Sequence, residues 1–500
     1  MKLLPLVLVL IFSGLVAPVL AAESAAEARV LRAGAAVGDI TPDLGQMIVG
    51  DWVPTPAKHI HDPLQVRVLV LDDGTKRLAI VVCDNVGLPR EVCDEAKRLT
   101  QKATGLDRAH VLISSTHTHS GVSADQVRLT RDTFGRTETR GVAGGEVGSA
   151  SEGRLAGYQQ FIARRVADTV QRAINQLEPA QIGWGSGREP SQVFNRRWFM
   201  DDEKERRNPF GGVDAVRMNP ARMAPTLVKP AGPTDPEIVF ISVQAKNGRP
   251  LAVLAAYSLH YVGGVPAGVV SADYFGAFAT RLGELLGADR QDPPFVGLMA
   301  NGTSGDVNNI NFREKAPVRA PFEQIRRVAN LVAAEVYRSY QTVEHRDWVS
   351  LDVRYEEPIV AMRRPTEEML TRARELAKRP ANPPGWQRHE LNYASRVLQR
   401  AAAPESVALP LQVFRIGEVG IMTVPAETFA EMGLDLKARA PFAKAFTISL
   451  ANGAYGYLPT AAQHRLGGYE TWLGTNLLEI DAATKITDVL LRMAGEIKLK

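Results

Sequence analysis

Cysteine is nearly missing from this chain. Cys83 and Cys93 are the two in 500 residues, which excludes a disulfide-dense scaffold and a zinc site built on several thiolates. Cys83 closes an apolar run and Cys93 sits on the helical pattern that follows, so both are expected to pack as small apolar side chains. An excess of charge is missing too: 59 basic against 55 acidic side chains leave a formal +4. That is too little for a surface that neutralises many phosphates, and no nucleic-acid partner is expected. Long hydrophobic runs stop early. After residues 3–15, which follow Lys2, none approaches the roughly 18–20 residues that span a bilayer. The first run, with small residues around Ala21 and Ala22, reads as a signal peptide over residues 1–22, so an exported product, periplasmic or extracellular, is expected. No internal repeat, phosphate loop or Gly-x-Ser-x-Gly elbow is present. What remains is an ordinary globular composition, 45% apolar and 23% charged, long enough to bury a large core.

The apolar runs alternate with helical patterns. Residues 77–83 read as a buried strand, 91–103 as a helix with Val92, Ala96, Leu99 and Ala103 on one face, and 111–115 as the next strand. Strand, helix, strand within about 40 residues implies a crossover onto a parallel neighbour, which places Asp84 and whatever follows residue 115 at the carboxyl edge of a sheet, where such folds bind ligands. Residues 238–244 and 251–257 flank Asn247 and Gly248, a hairpin turn signal. Residues 295–300 form another strand that empties into the Gly-rich turn 301–308, and 407–416 with 420–424 form a second hairpin. Helical spacing covers 158–177, 325–337, 366–378 and 480–493. Residues 128–153 and 200–236 lack a period and read as long functional loops, where a change of substrate preference would reside. The expected fold is α/β: one large catalytic domain over residues 30–500, of stacked mixed sheets flanked by helices.

His117 and His119 follow the strand 111–115 at alternate positions, just before Gly121. Neutral imidazoles at a sheet's carboxyl edge are what a metal site uses, and a catalytic zinc takes about three protein ligands. His260 stands at the end of the strand 251–257 and Glu427 at the end of the hairpin 407–424, each a candidate further ligand. His59 and His61 repeat the His-x-His spelling but precede a strand, which favours a structural or supporting role. Asp306 and Asn308 lie in the turn 301–308, whose Gly, Asp and Asn content also suits plain turn chemistry. The His-x-His-x-Asp-His signature of metallo-β-lactamases is absent, and the later Lys, His and Asp of a barrel amidohydrolase find no counterparts.

Taken together and in order, GDITP (38–42), HDPL (61–64), THTHSG (116–121), the approach to His260, SADY (271–274), GDV (305–307), VPAE (424–427) and residues 452–460 resemble the catalytic domain of the neutral, non-lysosomal ceramidases. The resemblance implies a zinc ion held by His117, His260, Glu427 and a tyrosine, Tyr457 with Tyr455 as its rival. It further implies that His119, Tyr469 and Arg196 hold the substrate carbonyl, and that an amide of an N-acylated, ceramide-like lipid is hydrolysed by activated water. Two departures follow from the same match: Asn308 stands where the family has a serine, and the family's additional C-terminal β-sandwich is not expected within these 500 residues. Proton delivery to the leaving nitrogen then falls to Asp306 or to a water held by Asn308. The expected partners are a small-molecule or lipid substrate and a transient membrane-surface contact. The alternatives are a zinc hydrolase of a smaller N-acyl or ester substrate, or a non-catalytic binding protein on the same scaffold.

Overall fold

Three sheets share one central core, and each carries its own helices on its outer face. The computed structural model describes residues 1, 29–50, 54–122, 129–131, 137–139, 155, 157–379 and 385–497. The signal-peptide cleavage site and nearly all of loop 128–153 lie outside the described residues.

The first sheet runs Arg32–Asp39, Gln65–Asp72, Arg77–Cys83, Val111–Ser115, and the second Glu178–Arg188, Glu237–Ala245, Pro250–Tyr257, Val296–Asn301. They are continuous only through two residue pairs, Arg32 with Pro179 and Ala33 with Glu178. The third sheet runs Leu351–Glu356, Leu411–Ile416, Val419–Val424, Lys444–Ser449. Alternation along the strands explains the layering. Leu78, Ile80 and Val82 face the central core, where they meet Ile241 of the second sheet and Phe414 and Ile421 of the third. Their neighbours Ala79, Val81 and Cys83 face outward, against helices Arg90–Thr104 and Tyr158–Asn175. The second sheet presents Ile238, Phe240 and Val253 to helices Asp273–Leu285 and Glu323–Tyr340. The third presents Val413, Met422 and Val424 to Ala430–Arg439 and Ala482–Ile497. A period of two with both faces apolar is what a sheet buried on both sides requires.

The expected elements are present, except that the strand expected over 407–416 is two, Ser406–Ala408 paired with Ile359–Ala361 and Leu411–Ile416 in the third sheet. Arg77–Cys83, Arg90–Thr104 and Val111–Ser115 form the unit anticipated from the sequence, its two strands parallel. Glu237–Ala245 and Pro250–Tyr257 pair antiparallel around Gly248, whose φ of +85° suits the turn. Cys83 and Cys93 are both buried and free. Loop 200–236 differs from expectation, because Val216–Met218 and Leu227–Pro230 pair with Arg197–Met200 in a small sheet too short for a period to register. No helix among the described residues is long and apolar enough to cross a membrane.

One feature of this topology prepares the site. In each sheet the last two strands are parallel while the others are antiparallel. The three edge strands Val111–Ser115, Val296–Asn301 and Lys444–Ser449 touch one another. The carboxyl ends of three parallel pairs therefore converge, and loops leaving them interlock: Ser115 N donates to Leu450 O, and Gly305 N to Thr428 O.

Candidate metal centre

Each sheet sends a donor to this convergence. From the first, the chain leaves Val111–Ser115 with Thr116 N bonded to Cys83 O and His117 N to Asn85 O. His117 takes a left-handed backbone, φ +72°, a strained conformation for a residue with a Cβ. The loop is clamped by Thr118 Oγ1, which donates to Ser271 O at 2.7 Å, and by Gly50, where any Cβ would stand 2.1 Å from His119 O. From the second sheet, Pro250–Tyr257 continues through Ser258 and Leu259 to His260. From the third, Glu427 opens a two-residue parallel ladder in which it is the direct neighbour of Tyr457.

The imidazoles meet through their Nε2 atoms. His117 Nε2 lies 3.0 Å from His260 Nε2 and 3.1 Å from His119 Nε2. The Glu427 carboxylate stands 3.2 Å from His117 Nε2 and 3.7 Å from His260 Nε2. The other ring nitrogens settle the protonation. His117 Nδ1 faces Val86 O at 2.5 Å and His260 Nδ1 faces Ser304 O at 3.1 Å. A carbonyl oxygen only accepts, so both Nδ1 atoms carry the proton and both Nε2 atoms present lone pairs to each other. Burial above all holds His119 and His260 well below the ordinary histidine range, so neither takes up a proton to relieve the contact. Glu427 Oε2 is buried without a hydrogen-bond donor. The Nε2 lone pairs of His117 and His260, packed against a carboxylate, are the donor set of a cation site. His117, His119 and His260 form a group that could hold a metal ion, and a cation there turns mutual repulsion into ligation.

The remaining expected residues fall into two sets. Tyr457 is buried beside Glu427, with the Arg196 guanidinium 5.1 Å from its ring centroid and bonded to its side chain. Tyr469 packs edge-on to Tyr457, ring centroids 5.7 Å apart. Arg196 is buried and paired with Glu470 at 2.8 Å. Burial opposes its charge, but Tyr457 and Glu470 beside it more than offset that and hold its pKa above the ordinary value. Tyr455, the rival of Tyr457, points elsewhere, into the core under the third sheet, where Arg90 bonds it.

Asp306 and Asn308 are committed to the scaffold. Asp306 accepts from Ala430 N at 2.9 Å, at the start of helix Ala430–Arg439, and from Asn195 Nδ2 at 2.8 Å. Asn308 bonds Asn219 at 2.6 Å through its amide nitrogen and Ile310 N at 3.0 Å through its oxygen. Asp84 pairs with buried Arg67 at 2.7 Å. His61 lies outside the cluster, stacked on Phe322 and bonded to Asp62.

The chain superposes on the neutral ceramidase from Pseudomonas aeruginosa with a TM-score of 0.66 at 18% identity, over 94% of this chain and 76% of that one. The fold is that of a neutral ceramidase. A ceramidase complexed with C2 superposes over the same shares, 94% and 76%, with a TM-score of 0.64 at 17% identity. No family model and no curated protein matches the chain. The ceramidase-like fold expected from the motifs is thus the one observed.

Three contributors escaped the sequence reading. Tyr261 stacks on His119 with ring centroids 3.7 Å apart and planes 13° apart, and its place directly after His260 is a signal that could have found it. The carbonyls of Val86 and Ser304 fix the tautomers and leave no mark in a sequence, since any residue supplies one.

Proposed function

We propose that this chain is an exported, zinc-dependent hydrolase of acyl amides of the ceramidase type, acting on an N-acylated lipid. The observation that carries the reading is the meeting of the His117 and His260 Nε2 atoms, whose Nδ1 atoms hold the protons, with the undonated Glu427 carboxylate. His117, His260 and Glu427 are the ligands, with Tyr457 beside Glu427 as the fourth. Nitrogen and oxygen donors in this mixture suit zinc, and the chain has no thiolate cluster to compete. When bound, such an ion activates water and polarises a carbonyl.

The protein's own groups do the rest. In this reading His119, stacked on Tyr261, and the Tyr469 hydroxyl hold the amide oxygen as it gains charge. Burial raises the Tyr457 hydroxyl well above the ordinary tyrosine range, and the positive charge of Arg196 beside it opposes that rise in part. Water adds to the carbonyl carbon, the C–N bond breaks, and a proton passes to the leaving nitrogen, giving a carboxylic acid and an amine. The hydrogen bonds of Asp306 and Asn308 recommend them for holding Ala430 and Asn219 in place rather than for delivering that proton. The decisive experiment is metal analysis of the purified chain with an N-acylsphingosine assay of wild type and His117→Ala. Zinc and turnover should disappear together. Loss of zinc with unchanged turnover would overturn the reading.

A further inference from the structure

A cleft of about 390 Å³ opens beside the candidate centre, with Tyr469 as the wall common to both. Its lining comes from loop 200–236, from residues 386–389 and from Gly468, Tyr469 and Trp472. Five basic side chains line it, Lys204, Arg206, Arg207, Arg217 and Arg388, against two acidic ones, Glu205 and Asp214. The acids are spoken for. Glu205 pairs with Arg217 at 2.8 Å, and Asp214 accepts from Gly468 N and Trp472 Nε1, both at 2.8 Å. Lys204, Arg206, Arg207 and Arg388 form no ion pair among the described residues. Arg206 Nε, Arg207 Nε and Trp386 Nε1 are moreover buried N–H groups without an acceptor. Arg207 lies over the Trp386 ring at 4.0 Å, which holds its planar fork rigid at the wall. Buried donors are nearly always satisfied. Several left over in one concave, net positive site lack an anionic acceptor.

We propose that this cleft binds an acidic group, a carboxylate, sulfonate or phosphate, carried by the substrate itself. The inference rests on the hydrolase reading and narrows it: the preferred amide has an anionic headgroup, whereas the neutral headgroup of a plain ceramide leaves these donors unsatisfied.

The test is a matched pair of amides, N-dodecanoylglycine and N-dodecanoylethanolamine, which differ in a carboxylate against a hydroxyl. Wild type should show a kcat/KM about ten- to a hundredfold higher for the acidic amide, as expected for charge-assisted hydrogen bonds. Arg207→Gln and Arg388→Gln should each shrink that ratio toward one, while Arg338→Gln, an exposed arginine paired with Glu335 elsewhere, should leave it intact. A wild-type ratio near one, with both amides cleaved, would overturn the cleft's role and leave the hydrolase reading standing. Inorganic phosphate accelerating the neutral amide, with no preference for the acidic one, would put a free anion in the cleft and also overturn the proposal. Should neither amide be cleaved, saturable calorimetric binding of N-dodecanoylglycine that is lost in Arg388→Gln would support the cleft although the hydrolase reading fails. Absence of binding would sink it.

Discussion

Residues 59–61 and 117–119 carry the same His-x-His spelling, and the fold uses them in opposite ways. His59 sits in a two-residue strand and is exposed, and His61 stacks on Phe322 at the surface with 42% of its side chain exposed. His117 is 3% exposed, its Nδ1 fixed by a backbone carbonyl and its Nε2 turned toward two other imidazoles. The difference is what precedes each pair. The second pair leaves the carboxyl end of a parallel strand at the meeting point of three sheets, while the first enters a strand from a loop. A metal motif acquires meaning from the backbone that aims it.

The sharpest way to break this comparison is to remove one imidazole from each pair. His117→Ala should reduce both bound metal and amide hydrolysis to background. His61→Ala should leave both intact and change stability by no more than about 1 kcal/mol, checked by metal analysis, turnover and thermal unfolding of the two variants side by side. Next in size is Glu427→Gln, which keeps the shape and removes the charge facing His117 and His260. Its metal affinity should fall by more than the roughly 10–100-fold typical of losing an outer partner, read by competition with a chromogenic chelator. Tyr469→Phe should retain the metal while kcat drops by roughly 10²-fold, the loss expected when one donor to a developing oxyanion is deleted.

The smallest effect concerns the scaffold behind the site. Burial raises the Asp306 carboxyl from 3.8 to about 6, against the lowering influence of Ala430 N–H and Arg197. Its folded pKa exceeds its unfolded one, so its titration favours the folded state below pH 3.8 and withdraws that support as pH rises through about 6. The rise corresponds to roughly 3 kcal/mol as an upper figure. Denaturant melts of wild type and Asp306→Asn should therefore converge, or cross in favour of the variant, between pH 4 and pH 7. A difference independent of pH would show that Asp306 does not titrate there.

Sequence carried the layers better than their convergence. Period-two runs such as 77–83 and 238–244 announced strands because both faces of each sheet are covered, and the parallel unit 77–115 pointed to the right edge. Arg32–Asp39 escaped notice because its residues are small. They are small because helix Tyr158–Asn175 lies flat against them: a Cβ on Gly34 would stand 2.1 Å from Ala173 O, and one on Gly38 would stand 2.2 Å from Thr169 Oγ1. His117, His260 and Glu427 were legible as polar residues ending apolar strands. His119 was legible beside them as well, since positions two apart on an extended chain share a face. The left-handed backbone at His117, φ +72°, left no mark in the sequence, and with it the two Nε2 atoms lie 3.1 Å apart. The charged cleft was invisible because its lining is drawn from three separate segments that run from Lys204 to Trp472.

In the proposed centre, the imidazoles of His117 and His260 close around one cation. X-ray absorption at the zinc edge of the purified, zinc-loaded chain reads that directly. It should show two or three imidazole nitrogens at about 2.0–2.1 Å with oxygen donors completing the shell, and fewer imidazoles in His260→Ala. A zinc shell without imidazole, or one unchanged by that substitution, would contradict it.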